Sequence, residues 1–436
     1  MICLVLLACA VTVIRAETAG LFLFVFITLF NLIVCDELIA STLPFLLMSA
    51  FMIKCFDSFN TYIKLAGFIP LVAFLLISHF FLYPKPIKVG STVWSLIGVT
   101  VAVTLGGVGS ISAKEYFSLT SIYYILGLGA AMLICYIIAY SYLETTDRAD
   151  LHRTLAYVMY LLGIFSCAMV LLHYIVNYET VLQKRSILEP QWRNNISTFI
   201  MLCMPFGFYL SVKEPRCIIP ALLTMPCLVL TSSRGGLVFG AVEFLLCCIY
   251  VLYADKKHRA RNLITFFVCG CALILLSGDI IAFISKTLAR FELSSLESDP
   301  RAGFIQRAIE DYKSSPVFGK GIGYMGNMDI YKSRTFAANW YHSYPFQVIG
   351  SFGTVGILAF GYQFFRRSRV FWSRVSFFTL AVYISYIGLF MMSLVNPGEF
   401  CPIPYEFLVV FMFAVIERRS PCNKERVLFQ PKTKGI

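Results

Sequence analysis

Several short groups of residues carry side chains that could bind an anion or move a proton. In Thr231–Gly236, Arg234 follows three hydroxyl residues and precedes two glycines. A guanidinium presents a planar fork of donors that suits phosphate oxygens, and neighbouring glycines allow a ligand to approach the backbone. Arg193 offers the same fork within the polar run Trp192–Asn195. Both arginines are candidates for binding phosphate or sugar, although Arg234 could instead extend along an apolar helix to reach water.

Arg301 is predicted to lie at the start of a short helix, because Pro300 suits the first helical position and Pro316 ends the run. At about 100° per residue, Arg301 falls on the apolar face of this helix, whereas Arg307 falls on its polar flank. A charge on the buried face needs a partner, which would be an anionic ligand or a carboxylate. The apolar stripe comprises Phe304, Ile305, Ala308, Ile309 and Tyr312. The carboxylates that could pair with Arg301 instead of a ligand are those of Glu243, Asp279 and Glu399.

His342 lies in the aromatic stretch Asn339–Pro345. Imidazole is the natural general base near neutral pH, although a lone histidine in such a stretch also occurs as an ordinary interfacial residue. Glu243 lies within an apolar run, where a carboxylate is either functional or paired with an arginine. The sequence contains no zinc-ligand spacing, nucleotide-binding loop or carboxylate cluster, so we expect neither a metal nor a cofactor. Further candidates for substrate binding are Arg307, Lys320 and Tyr344.

The composition predicts the elements that must position these residues. Of 436 residues, 58% are apolar and 14% are charged, against about 45–50% and about 25% in a soluble domain. This excludes an ordinary soluble enzyme, a disordered chain and a secreted disulfide scaffold. Since a span needs about 20 apolar residues and must satisfy its own backbone, we predict an all-α polytopic membrane protein. It should have 12–14 transmembrane helices and one long extracytoplasmic loop, residues 285–344, containing short amphipathic helices. The predicted spans include Leu65–Leu82 and, directly after the long loop, Pro345–Phe364.

The net charge of +12 is concentrated in Ala254–Arg261, Arg366–Arg374 and Glu417–Ile436. An even number of predicted spans separates these segments, so all three are expected on the cytoplasmic side, and nucleic acid is not an expected partner. The loops that carry the candidate residues then fall on the opposite face. The expected divisions are N-terminal helices (1–191), a catalytic core (192–364), C-terminal helices (365–416) and a basic cytoplasmic tail (417–436).

The order of these features resembles the O-antigen ligase/O-antigen polymerase superfamily of bacterial membrane glycosyltransferases. Thr231–Gly235 is similar to the Ser-Arg-Gly turn of that family. Its second motif, an arginine followed by a Pro-x-x-Gly-x-Gly close, is matched by Arg301, Pro316, Gly319, Gly321 and Gly323. Its third, a His-Asn/Ser step before a Gly-x-x-Gly span, is matched by His342, Ser343, Gly353 and Gly356. The resemblance covers about Trp192–Phe364, with Ile305 replacing a common tryptophan and Ser343 the more frequent asparagine.

The resemblance implies a multi-pass enzyme of the bacterial inner membrane with its active site on the extracytoplasmic face. Such an enzyme transfers or polymerises a polyprenyl-diphosphate-linked glycan onto a hydroxyl of a glycan, lipid or protein acceptor, without metal. Arg234 and Arg301 would hold the diphosphate, and His342 would accept the proton. Polymerisation and ligation both stay open, and the alternative outside the enzyme class is a transporter or flippase of lipid-linked glycan.

Overall fold

The computed structural model describes most of the chain as helix. The described residues are 1–55, 79, 81–112, 124–146, 150–177, 190–275, 301–321, 341–396 and 398–418. No strand occurs in these ranges. The α-helices in chain order are α1 (Ile2–Val13), α2 (Glu17–Val34), α3 (Leu38–Cys55), α4 (Val93–Ser112), α5 (Met132–Thr145), α6 (Leu151–Val176), α7 (Pro190–Ser211), α8 (Ile218–Leu230), α9 (Arg234–Ala254), α10 (Arg259–Leu275), α11 (Arg301–Ser314), α12 (Tyr344–Ser373), α13 (Phe377–Ser393) and α14 (Phe407–Glu417).

The helices follow the apolar runs of the sequence. Within the described ranges, 4 helical stretches are long and apolar enough to cross a membrane. They are Ile125–Thr145 (α5 with the helical turns that precede it), Leu151–Val176, Arg234–Ala254 and Tyr344–Ser373, which contains the break described below. Shorter apolar helices include Ile2–Val13, Thr18–Val34, Val93–Gly106, Pro215–Leu230 and Phe377–Ser393. A multi-pass helical membrane protein is therefore confirmed, while the count of 12–14 spans stays a prediction. The predicted span at 65–82 falls almost entirely outside the described residues.

Helix α7 forms the centre of the bundle. Every residue from Ile196 to Ser211 is buried, as expected of a helix that is apolar around its whole circumference. It packs against α6, α8, α9 and α13. A hydrogen bond from Ser385 Oγ to the Leu202 carbonyl (2.6 Å) joins α13 to α7. Ser233, which precedes α9, hydrogen-bonds to Asn194 near the start of α7. The N-termini of α7 and α9 therefore share one end of the bundle, which we call the site end.

Helix α12 is broken at Gly353, whereas the sequence predicts one continuous span over Pro345–Phe364. Gly353 has φ 60° and ψ −149°, which no helix contains. The part before the break folds back on the part after it, so that the rings of Tyr344 and Phe360 lie 5.7 Å apart. In an unbroken helix these residues would be separated by about 24 Å. The prediction of a single span was wrong here, and a short helix, residues 344–352, precedes the longer one, residues 354–373.

The position of Arg367 also differs from the sequence prediction, which places Arg366–Arg374 in a cytoplasmic loop. The helix after Gly353 continues to Ser373, and Arg367 lies inside it, fully buried. Its guanidinium pairs with Glu399 and Glu406. A charge inside the bundle needs such partners, and carboxylates 32 and 39 residues away in sequence provide them. Glu399, considered above as a partner of Arg301, is therefore the partner of Arg367.

Candidate functional site

The Arg234 turn is fixed to the start of α7. Ser233 caps α9, because its Oγ accepts a hydrogen bond from the Gly236 amide at 3.2 Å. The same hydroxyl donates to Asn194 Oδ1 at 2.8 Å. A Cβ on Gly236 would lie 2.6 Å from the Cβ of Ser197, so glycine is required for this close approach. Arg193 precedes Asn194 in the chain, and the Arg193 and Arg234 segments therefore meet at the site end.

Three helices carry an arginine in their first turn. Arg234 is the first residue of α9, Arg301 is the first residue of α11, and Arg193 lies in the first turn of α7. None of these first turns contains an acidic residue. The helix dipole disfavours a cation at this position by about 0.3–1 kcal/mol, so helix stability does not explain the pattern. Arginine and unpaired backbone amides together suit an oxyanion such as phosphate.

His342 is held against α11. Its imidazole stacks on Phe304 with ring centroids 5.4 Å apart. The preceding residue, Tyr341, donates its hydroxyl to Asp311 Oδ2 at 2.6 Å. His342 itself has φ 49°, a left-handed conformation that is uncommon outside glycine. Such backbone strain, of about 1–3 kcal/mol, persists where surrounding contacts impose it and is frequent at functional sites.

The short helix that follows His342, residues 344–352, is called the His342 helix. It ends at the Gly353 break, which is completed by the loop 316–321. The amides of Lys320 and Gly321 donate to the carbonyls of Gly350 and Ser351, at 2.9 and 3.0 Å. On the other side of the break, the amides of Thr354 and Val355 donate to the carbonyls of Pro316 and Val317, at 2.8 and 3.1 Å. The last carbonyls and the first amides of a helix have no partner within that helix. The loop 316–321 supplies hydrogen bonds to both, at the end of the short helix and at the start of the longer one.

Glycines allow this loop to approach the break. Gly319 and Gly321 have φ of 69° and 84°, a region that favours glycine. A Cβ on Gly319 would lie 2.4 Å from the Ser351 carbonyl carbon. Gly319 and Gly321 therefore form a bend after Pro316 that also caps a broken helix.

The Arg234 turn and the start of α12 both pack against the chain at and after the end of α13. Gly235, in the Arg234 turn, lies against Met392 and Val395 at the end of α13. Phe400, a few residues further along the chain, lies 6.3 Å from the ring of Tyr344 at the start of α12. The Arg234 turn and the start of the His342 helix therefore both contact the chain that follows α13.

Most of this site lies in a stretch of the chain that matches a known protein family. A family model described as O-antigen ligase matches residues 219–361. Residues 219–361 are similar to the O-antigen ligase family. A search of curated proteins found no match. The matched residues include the Arg234 turn, helix α11, the loop 316–321 and the His342 helix, which confirms the resemblance to the O-antigen ligase/polymerase superfamily. The match supports glycan ligase or polymerase activity in a membrane.

The predicted site residues differ in their surroundings. Arg193, Arg234, Arg307, Lys320 and His342 are half-buried. Tyr344 is buried, and its ring faces Phe360 and Phe400. The backbone of Arg301 begins α11, but its side chain lies outside the described part of the structure, as do Asn339, Trp340 and Gly323.

Glu243 occupies the interior of the bundle. Its side chain is fully buried, and among the described residues neither carboxylate oxygen has a hydrogen-bond partner. The carboxylate faces Gly388 of α13, where a Cβ would lie only 2.2 Å from Oε2. The pairing with an arginine considered from sequence is therefore not seen in the part of the chain that is described. The described residues also contain no group of three potential metal ligands.

Sequence reasoning missed Tyr341 and Asp311, which tie the His342 segment to α11. Tyr341 stands in an aromatic run and Asp311 in a helix with several charges, so their local patterns are typical of surface residues. Asp311 is only 5% exposed. Burial raises the pKa of its carboxyl above the ordinary value of 3.8, while the hydrogen bond from Tyr341 opposes the shift.

Because the pKa of Asp311 is raised, we expect its contribution to the stability of the folded protein to depend on pH. Because the folded state holds this proton more tightly than the unfolded state, the stability contributed by Asp311 falls as pH rises through its pKa. Asp311→Asn removes this dependence and keeps an acceptor for Tyr341. We expect the variant to match or exceed the wild type in Tm at pH 7, with the difference vanishing near pH 4. A Tm difference that grows toward low pH would contradict this assignment.

Proposed function

We propose that this protein transfers or polymerises a polyprenyl-diphosphate-linked glycan onto an acceptor hydroxyl at the outer face of the bacterial cytoplasmic membrane. The observation that carries the proposal is the placement of arginines in the first turns of three helices that lack acidic residues there. A diphosphate beside lipid concentrates negative charge in a medium of low dielectric constant, where fixed cations interact strongly with it.

In the proposed reaction, the acceptor oxygen attacks the anomeric carbon of the donor sugar. The glycosidic C–O bond to the diphosphate breaks, and its electron pair leaves with the polyprenyl diphosphate. Arg234 and Arg301 neutralise the charge that develops on this leaving group. His342 accepts the proton of the acceptor hydroxyl. Arg193, joined to the Arg234 turn through Asn194 and Ser233, binds phosphate or glycan.

The arginine assignment is tested by replacing the guanidinium while keeping the charge. An ammonium cannot reproduce the planar fork, so Arg234→Lys should reduce glycan transfer by about 10²-fold, as expected for a lost transition-state donor. The assay uses purified protein in nanodiscs with a labelled polyprenyl-diphosphate glycan and an acceptor, in the presence of a chelator. Arg301→Lys should behave in the same way.

Arg216→Lys is the matched control, because the Arg216 side chain is 84% exposed and pairs with Glu214. It should transfer glycan at the wild-type rate. Wild-type rates for Arg234→Lys and Arg301→Lys would exclude the arginine assignment. A purified protein that moves the lipid-linked glycan between leaflets without forming a glycosidic bond would instead be a flippase.

The products distinguish the two forms of the proposed activity. A ladder of glycans differing by one repeat indicates polymerisation, whereas one discrete lipid- or protein-linked product indicates ligation. Both use the same donor and the same departure of the diphosphate, so the arginines and His342 serve either reaction.

A further inference from the structure

A short segment after α13, residues 398–406, runs across the site end, and we call it the bridging segment. It consists of two short helical turns, Gly398–Phe400 and Pro402–Glu406. Its start is fixed to α13, because the Glu399 amide donates to Ser393 Oγ at 2.9 Å. Gly398 has φ 42°, and a Cβ there would collide with that same hydroxyl. The direction in which the segment leaves α13 is therefore tightly determined.

One aromatic residue of the bridging segment contacts the His342 helix. Phe400 is fully buried. Its ring centroid lies 6.3 Å from that of Tyr344 and 6.0 Å from that of Phe352, at the two ends of the short helix before the break. Tyr344 is two residues from His342, so Phe400 packs against the start of the helix that follows His342.

A second aromatic residue contacts the arginine part of the site. Tyr405 donates its hydroxyl to the Asn195 carbonyl at 2.9 Å, and its ring packs edge-on against Phe199 of α7. Asn195 follows Asn194, which accepts the hydrogen bond from Ser233 beside Arg234. Tyr405 is therefore connected to the same turn of α7 that holds the Arg193 and Arg234 segments together.

The buried Arg367 fixes the bridging segment between these two contacts. Its guanidinium donates to Glu399, immediately before Phe400, and to Glu406, immediately after Tyr405. Tyr386 also donates to Glu399 at 3.2 Å, and Gln363 donates to Glu406 at 3.2 Å. Removing one partner of a buried ion pair is strongly destabilising, so the ends of the segment are held firmly to α12.

We propose that the bridging segment sets the position of His342 relative to the arginines, with Phe400 and Tyr405 as positioning residues and Arg367 as their anchor. This inference rests on the proposed function and deepens it. These residues lie outside the stretch that matches the O-antigen ligase family, 219–361. Misplacement of a catalytic group by about 1 Å can cost about 10²-fold in rate, so a residue that touches no substrate can control the reaction.

Tyr405→Phe tests the positioning role, because it removes one hydroxyl and leaves the ring in place. We expect kcat for glycan transfer to fall by between about tenfold and 10²-fold, with the KM for the donor unchanged. Tyr250→Phe is the matched control. Tyr250 is similarly buried and also donates its hydroxyl to a backbone carbonyl, that of Phe377, at the opposite end of α13. It should lower the Tm as much as Tyr405→Phe and leave kcat unchanged.

A measurement without substrate separates this inference from the proposed function. Hydrogen–deuterium exchange should show faster exchange in residues 344–352 for Tyr405→Phe than for Tyr250→Phe. If the wild type transfers no glycan, the proposed function fails, and the exchange comparison still tests the bridging role. If the two variants have equal kcat and equal exchange in 344–352, Tyr405 is only a packing residue and the inference is overturned.

Discussion

His342→Ala is expected to reduce the rate of glycan transfer by about 10²–10⁴-fold, the contribution typical of a general base. The imidazole stacks on Phe304 of α11, the helix that begins with Arg301. In the proposed mechanism, the variant lacks the group that accepts the proton of the acceptor hydroxyl, but it keeps the arginines proposed to bind the diphosphate. We therefore expect donor binding to be preserved, and added imidazole to restore part of the rate.

His152→Ala is the matched control for this prediction. His152 also stacks on a phenylalanine, Phe378, with ring centroids 4.1 Å apart, and it lies near the end of α6 that is opposite the site end. Both variants lose a stacked imidazole, so their losses of Tm should be similar. Only His342→Ala should lose transfer when initial rates are compared at equal amounts of folded protein. Near-normal transfer by His342→Ala would show that another group accepts the proton.

Gly353→Ala is expected to have the largest effect on stability. At φ 60° and ψ −149° the position is confined to glycine. An added Cβ would lie 2.6 Å from the Gly319 amide nitrogen and 2.7 Å from the Pro316 carbonyl oxygen. Backbone strain and overpacking together should destabilise the folded protein by at least about 3 kcal/mol. The loop 316–321 would be displaced, and transfer would be lost with it.

The control lies in the same helix. At Gly361 an added Cβ has no neighbouring atom within 4 Å, and alanine in a helix interior is favoured over glycine by about 0.5–1 kcal/mol. Gly361→Ala should therefore be neutral or slightly stabilising. Thermal unfolding in detergent and the monodisperse fraction after purification compare the two variants. Equal Tm values for Gly353→Ala and Gly361→Ala would be incompatible with the broken helix.

The sequence was sufficient to predict the helices, whereas the assignment of the candidate site residues stays a prediction. Apolar runs gave the helices because burial in lipid or in the bundle requires continuous apolar surface. The start of α11 at Arg301 followed from the conformational restriction of Pro300 and the stop at Pro316. These predictions succeeded because each depends on residues that are close together in the chain.

The break at Gly353 and the burial of Arg367 could not be predicted in this way. Hydropathy is continuous across Gly353, and only the loop 316–321, more than 30 residues earlier, makes the break favourable. Arg367 stands among other arginines that are typical of a membrane surface, and its partners Glu399 and Glu406 come from another segment. The bond between Ser233 and Asn194 likewise joins residues 39 positions apart.

The junction at Gly353 is built almost entirely from main-chain atoms, with one added side-chain hydrogen bond from Thr354 Oγ1 to the Pro316 carbonyl at 2.8 Å. This has a consequence for how such proteins can diverge. Val317 and Phe318, which lie between Pro316 and Gly319, are 52% and 45% exposed, and their side chains take no part in the junction. Such a junction requires the glycines, whose backbone angles and space it uses, and places few demands on the side chains between them. Two relatives can therefore share the same bent architecture while their loops have little similarity when aligned residue by residue.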